Sequence, residues 1–165
     1  MSDNQAALAI RISLSHQRLW LLEGNDVVAD YPVSTAANGA GEANGSMCTP
    51  RGRHVIRARI GDGCRSGTVF VGRRPTGEVY AVGMRENEPE RDWILSRILW
   101  LSGCEPGRNR LGDVDTMRRY IYIHGTPDDV VLGEPGSHGC VRMANADVID
   151  LFDRVPVGTP VLIEE

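Results

Sequence analysis

The feature that most constrains how this chain folds is the alternation of apolar and polar residues in short runs closed by turn residues. Ile10, Ile12 and Leu14 alternate with Arg11, Ser13 and Ser15, the period-two pattern of a strand with one buried face. Ser15–Arg18 reads as a turn and Leu19–Leu22 as a returning strand. Glu23-Gly24-Asn25-Asp26 is a hairpin-type turn. Val27–Val33 follows, and Pro32 points to a sheet edge or a bulge. The opening is therefore expected to be a β-meander. A loop of small residues spans 36–48, and short strands are expected at 53–60, 68–72 and 78–83. Arg119–His124 alternates as a strand that ends on His124, and Val157–Ile163 reads as a turn and a closing strand.

Two segments carry helical spacing. Trp93, Ile94, Ile98, Leu99 and Leu101 predict a helix over Glu90–Ser102, with Asp92 as a cap and Gly103 as a stop. Asn145–Asp153 predicts a second helix, with Asn145 as N-cap and Val148, Ile149 and Phe152 on one face. No internal repeat or low-complexity tract interrupts the 165 residues, so a single domain over 1–165 is expected.

Charge and composition exclude several function classes. A net charge of −4 gives no electrostatic case for nucleic acid or an anionic membrane as partner. All 18 basic residues are Arg, so no Lys is available as Schiff base or general base. Met1-Ser2-Asp3-Asn4-Gln5 carries an acid and no base, and the apolar run Ala6–Ile10 is short for a secretory signal. A cytoplasmic protein without a membrane anchor is the expectation; a trimmed leader would instead place it in the periplasm. The four cysteines, Cys48, Cys64, Cys104 and Cys140, include no CxxC pair, so free thiols are expected rather than a zinc site. No cofactor and no metal is called for. Cys64 and Cys104 read as structural, and Cys48 lies beside the Thr49-Pro50 turn, near a possible cleft.

The chemistry concentrates at Ser137-His138-Gly139-Cys140. A free thiol is a poor nucleophile until a base takes its proton, and His is the usual base. His124 and His138 are the two candidates. Gly139 lets backbone approach a substrate closely, and N–H groups in such a turn can hold an oxyanion. Taken alone, these residues leave two readings open, because a buried free Cys is more often an inert small hydrophobe. His138 on its own could be a metal ligand or a surface residue.

The longer pattern, His124-Gly125-Thr126 followed by Ser137-His138-Gly139-Cys140-Val141-Arg142-Met143, resembles the signature of the YkuD-type L,D-transpeptidase catalytic domain family. Tyr31-Pro32-Val33-Ser34-Thr35, Thr49-Pro50-Arg51-Gly52 and Val157-Gly158-Thr159-Pro160-Val161 resemble other stretches of that family. The resemblance runs from about Ile10 to Ile163. It implies a mainly β (α+β) fold, a YkuD-like β-sandwich with mixed sheets and a few short helices. It implies Cys140 as nucleophile, His124 as its base and the Gly125 carbonyl as the group orienting the ring. It also implies N–H groups around Gly139 and Cys140 as the oxyanion hole. His138 belongs to the site, and Ser137, Arg142 and Tyr122 are expected on the substrate side. Ser137 has packing as its alternative; Arg142 would meet a substrate carboxylate or make a structural salt bridge.

The family's substrate is the peptidoglycan stem tetrapeptide, and carbapenems are an expected source of covalent adducts. Water as second nucleophile makes an L,D-carboxypeptidase, which suits murein recycling in the cytoplasm; an amine of a second stem makes a transpeptidase forming 3-3 cross-links. The carboxypeptidase is the favoured expectation, with segment 91–119 and its helix walling off the site against an acceptor. A non-catalytic muropeptide binder, or a metal protein using Cys140, His138 and His124, is the reading from another class.

Overall fold

The computed structural model describes residues 6–165; the Met1–Gln5 stretch read for targeting lies outside them. The meander forms as its alternation requires. β1 (Leu8–Ser13), β2 (Arg18–Glu23) and β3 (Asp26–Pro32) pair antiparallel in sequence order. Ile10 and Ile12 point into the core while Arg11 between them is exposed. β3 is the edge strand, where Pro32 is tolerated, and it also carries a bulge: Leu21 and Leu22 pair with Ala29 and Val27, which leaves Val28 unpaired.

The remaining strands are β4 (Gly52–Ile60), β5 (Thr68–Val71), β6 (Arg74–Val79), β7 (Ile94–Gly103), β8 (Tyr122–Gly125), β9 (Val141–Met143) and β10 (Pro160–Glu164). Together with the meander they form one 10-stranded mixed sheet in the order β3-β2-β1-β10-β4-β7-β5-β6, with β8 on β7 and β9 on β8. β10 lies between β1, to which it is parallel, and β4, to which it is antiparallel. One core gathers side chains from strands far apart in that order, among them Leu19, Ile56, Leu99, Ile123 and Val141. The sheet therefore wraps over itself in the manner of a sandwich. Helix α2 (Asn145–Arg154) closes this core with Val148, Leu151 and Phe152. Each of these fully buried side chains contributes about 1.5–3 kcal/mol. Among the described residues no helix is long and apolar enough to cross a membrane.

Several expectations need correction. The predicted helix over 90–102 is strand β7. Flanked by β4, β5 and β8, this strand is buried on both faces, and an apolar run buried on both faces carries no alternation to distinguish it from a helix. Ser96, at φ 71°, sits in a register break between Leu95 and Ile98 that disrupts any remaining period. Asp92 caps nothing, and the only other α-helix among the described residues is the single turn α1 (Met84–Asn87). The strand expected at 78–83 runs 74–79. Asn145 is the first helical residue rather than the N-cap, and Leu151 replaces Ile149 on the buried face. The four cysteines are free, and Cys104 is exposed rather than in the core.

Candidate active site

Parallel pairing of β8 with β9 brings the two motifs together. His124 stands opposite Arg142 and Gly125 opposite Met143, so Cys140, just before β9, lies beside the strand that carries His124; that strand runs Tyr122–Gly125 rather than the expected 119–124, because residues 116–120 form turns. Gly125 is required by space: a Cβ there would lie 2.5 Å from the Leu95 carbonyl oxygen and 2.6 Å from Asn145 Oδ1. Asn145 is itself fixed. Its Nδ2 donates to the Thr126 carbonyl at 3.0 Å and to Asp128 Oδ1 at 3.1 Å, and its Oδ1 accepts from the Ser96 hydroxyl. The polar head of α2 thus locks the backbone that follows His124.

His124 is 1% exposed, and its Nδ1 lies 2.7 Å from the Gly125 carbonyl oxygen. A carbonyl only accepts, so Nδ1 carries the proton and the Nε2 lone pair is left available. Burial pushes the His124 pKa down, against the opposing pull of Asp92 and the Gly125 carbonyl. The ring is therefore neutral at pH 7.

The Cys140 sulfur accepts from the Tyr122 N–H at 3.3 Å and donates to the Tyr120 carbonyl at 3.4 Å. Burial pushes the thiol up to about 12; Asp92 adds to the rise, while the Tyr122 N–H, Arg142 and Arg119 oppose it. The bond to the Tyr120 carbonyl agrees with that direction, because only a protonated sulfur can donate. Both shifts favour the uncharged forms, a thiol and an imidazole.

The turn before Cys140 is stapled by Ser137. Its hydroxyl donates to the Cys140 carbonyl at 2.6 Å and accepts from the Gly139 N–H at 3.2 Å. Thr49 Oγ1 donates to the Gly139 carbonyl at 2.9 Å. Gly139 has φ 132°, and a Cβ there would press on the Cys48 carbonyl oxygen and on Ile121 Cδ1, both at 3.1 Å. Of the two amides expected to face an oxyanion, that of Gly139 is engaged by Ser137. That of Cys140 donates to no protein acceptor among the described residues.

Cys140, His124, Ser137, His138, Arg142 and Tyr122 line one cleft of about 350 Å³. Gly125 and Gly139 act from behind it. His138 is exposed, and Arg142 donates to the Gly136 carbonyl at 3.1 Å and stands 4.0 Å from Asp92. Cys48 is held inside its own loop by its thiol and is not on the cleft wall. Sequence reasoning missed Asp92, Arg73, Tyr120 and Arg119. Arg119 binds the Gly41, Glu42 and Cys48 carbonyls and the Ser46 hydroxyl, fastening the 36–48 loop beside the turn. None of these four belongs to a motif, and an alternating strand pattern gives no hint of them. A second cleft of about 420 Å³, lined by Arg85, Trp93 and Pro127 among others, meets the first at Asp92, His138 and Arg142. Among the described residues no group of three His, Cys, Asp or Glu side chains is placed to hold a metal ion.

Comparison with known proteins bears on this geometry. A family model described as YkuD, L,D-transpeptidase catalytic domain, matches residues 8–163. The Bacillus subtilis protein YkuD is 35% identical over 89 residues, which cover 54% of this chain and 44% of that protein. Matched stretches take in less than half the length of the curated relatives. An L,D-transpeptidase from Mycobacterium smegmatis superposes with a TM-score of 0.63 at 17% identity, over 97% of this chain and 59% of that one. The LD transpeptidase LdtMt1 in complex with imipenem gives 0.57 at 20% identity, over 95% and 58%. At such identities the structural likeness concerns the fold.

Proposed function

The chain belongs to the L,D-transpeptidase catalytic domain family, and from that premise we propose that it is a cysteine acyl-transfer enzyme acting on peptidoglycan stem tetrapeptides. The observation that carries the proposal is the fixed tautomer of His124. With Nδ1 spent on the Gly125 carbonyl, Nε2 is the ring nitrogen left to act as a base, and His124 lines the same cleft as Cys140. His124 takes the thiol proton as Cys140 attacks the carbonyl of the third stem residue. The oxyanion forms against the unspent Cys140 N–H. The C–N bond breaks, D-Ala leaves with the proton returned by His124, and a thioester remains on Cys140. The same imidazole then deprotonates the second nucleophile.

Release by water gives the L,D-carboxypeptidase; release by an amine gives the cross-link. The helix expected to wall off an acceptor is instead β7, inside the sheet. Residues 91–119 do supply Asp92, Ile94 and Arg119 to the cleft, but the second cleft stays open beside them. That opening favours an amine acceptor arriving past His138, with hydrolysis as the competing outcome when no acceptor is bound. Incubation with a purified tetrapeptide, with mass spectrometry of products and of Cys140, tests both steps. Dimers with a tripeptidyl adduct on Cys140 support transpeptidation. Free D-Ala and tripeptide without dimers assign the carboxypeptidase instead. Turnover retained by Cys140→Ala would remove the mechanism altogether. A carbapenem is expected to leave its mass on Cys140, as the imipenem complex of a structural relative suggests.

A further inference from the structure

We infer that Arg73 is the receptor for a carboxylate of the donor stem peptide, an assignment that rests on the acyl-transfer reading above. Three arginines, Arg73, Arg119 and Arg142, line the cleft against one acid, Asp92. Two of them are already committed. Arg119 spends its donors on the loop carbonyls, and Arg142 on the Gly136 carbonyl with Asp92 at 4.0 Å. Arg73 donates only through Nη1, to the Tyr122 hydroxyl at 3.1 Å. Among the described residues its Nε and Nη2 find no acceptor and it makes no ion pair.

The guanidinium is also held ready. It lies 4.8 Å from the Trp100 ring centroid and 5.0 Å from that of Tyr120, so two aromatic faces support it without consuming its donors. Its backbone points the same way. Gly72 and Arg73 form the two-residue turn between β5 and β6 with φ of 55° and 63°. Such a turn favours Gly or Asn, and an L side chain in that region is strained. An arginine at a position that disfavours it, stacked and without an acidic partner among the described residues where it lines the cleft, is a fork awaiting an anion.

The reach fits a residue next to the attacked carbonyl. Tyr122 touches the Cys140 sulfur with its backbone N–H and Arg73 with its hydroxyl, so one tyrosine spans nucleophile and guanidinium. Two carboxylates of the stem lie within one residue of that carbonyl: the C-terminal carboxylate of the leaving D-Ala and the side-chain carboxylate of a third-position diaminopimelate.

The test is a substitution crossed with substrate amidation. Arg73→Gln is expected to raise KM for the tetrapeptide about ten- to hundredfold with little change in kcat; Arg73→Lys, which keeps charge but not the planar fork, recovers part of the loss. Amidating the carboxylate that Arg73 binds raises KM in the wild type and adds nothing in Arg73→Gln. Amidation of the other carboxylate acts equally on both, which distinguishes the two sources. Full sensitivity of Arg73→Gln to both amidations, or an unchanged KM, overturns the assignment. Calorimetry of the tetrapeptide on Cys140→Ala, with and without Arg73→Gln, reads affinity without turnover. Arg73-dependent binding by a wild type that turns nothing over counts against acyl transfer and leaves the receptor standing. Binding indifferent to Arg73 refutes the receptor alone.

Discussion

Cys140 should react as a thiol whose proton must be removed during attack, not as a preformed thiolate. Burial raises it from 9.0 to about 12, which at neutral pH leaves about a thousandfold less thiolate than an unshifted cysteine carries. A more basic thiolate is a better nucleophile, with a Brønsted slope of about 0.4–0.5, so roughly 1.2–1.5 of the three logarithmic units are recovered. The net expectation is alkylation about thirty- to sixtyfold slower than that of an unshifted thiol. Brief pulses of iodoacetamide between pH 6 and 10, with peptide-level mass spectrometry, give the rate at Cys140; exposed Cys104 reports on the reagent in the same tube. The logarithm of the Cys140 rate should climb by one per pH unit over the whole range. Restricted access lowers every point equally and leaves that shape intact. A plateau with its midpoint at or below pH 7 would mean a resting thiolate–imidazolium pair and would refute the reasoning.

Three further outcomes follow from the same geometry. His124→Ala should lower kcat/KM for tetrapeptide about 10²–10⁴-fold, the range for loss of a general base, while the pH profile of Cys140 alkylation keeps its slope. Gly125→Ala should cost about 3 kcal/mol or more in urea unfolding, since its Cβ would overlap a backbone carbonyl and a fully bonded asparagine; a loss below 1 kcal/mol would show that β7 and α2 yield. His54 is buried between the Gly52 carbonyl and Thr116 Oγ1, and desolvation lowers it to about 4. The unfolded chain therefore takes up this proton first. The stabilisation is complete above about pH 6.5 and falls by about 3 kcal/mol as pH drops to 4. Urea midpoints at pH 7 and pH 4.5 should converge in His54→Gln relative to wild type, and equal slopes in the two proteins would contradict the assignment.

What could be read from the sequence follows from how each signal is generated. Ile10 and Ile12 advertise β1 because one of its faces meets water. β7 was unreadable for the opposite reason, since a strand covered on both faces loses its polar positions and Leu95, Ile98 and Leu99 fit a helix as well as a strand. That Cys140 and His124 meet at one cleft could be expected from their motifs, because the acyl transfer proposed here asks for those residue types and a parallel strand pair brings the two motifs together. Arg73 and Asp92 could not be expected there. They reach the cleft from a hairpin tip and from the approach to β7, at separations that no local pattern encodes. Ser137 was assigned to the substrate side, yet its hydroxyl is used inside the turn, a distinction that depends on distances of a few tenths of an ångström.

The place of β10 has a consequence for how the molecule comes into being. The strand made from residues 160–164 is inserted between β1 and β4, so the meander of β1, β2 and β3 has no edge to dock against until those much later residues have been made. A nascent meander would wait with one side unpaired, which is the circumstance that slows folding and invites association with other chains. Assembly of the cleft is thus coupled to residues 160–164, and a chain clipped just before them would carry Cys140 and His124 without the strand that joins β1 to β4.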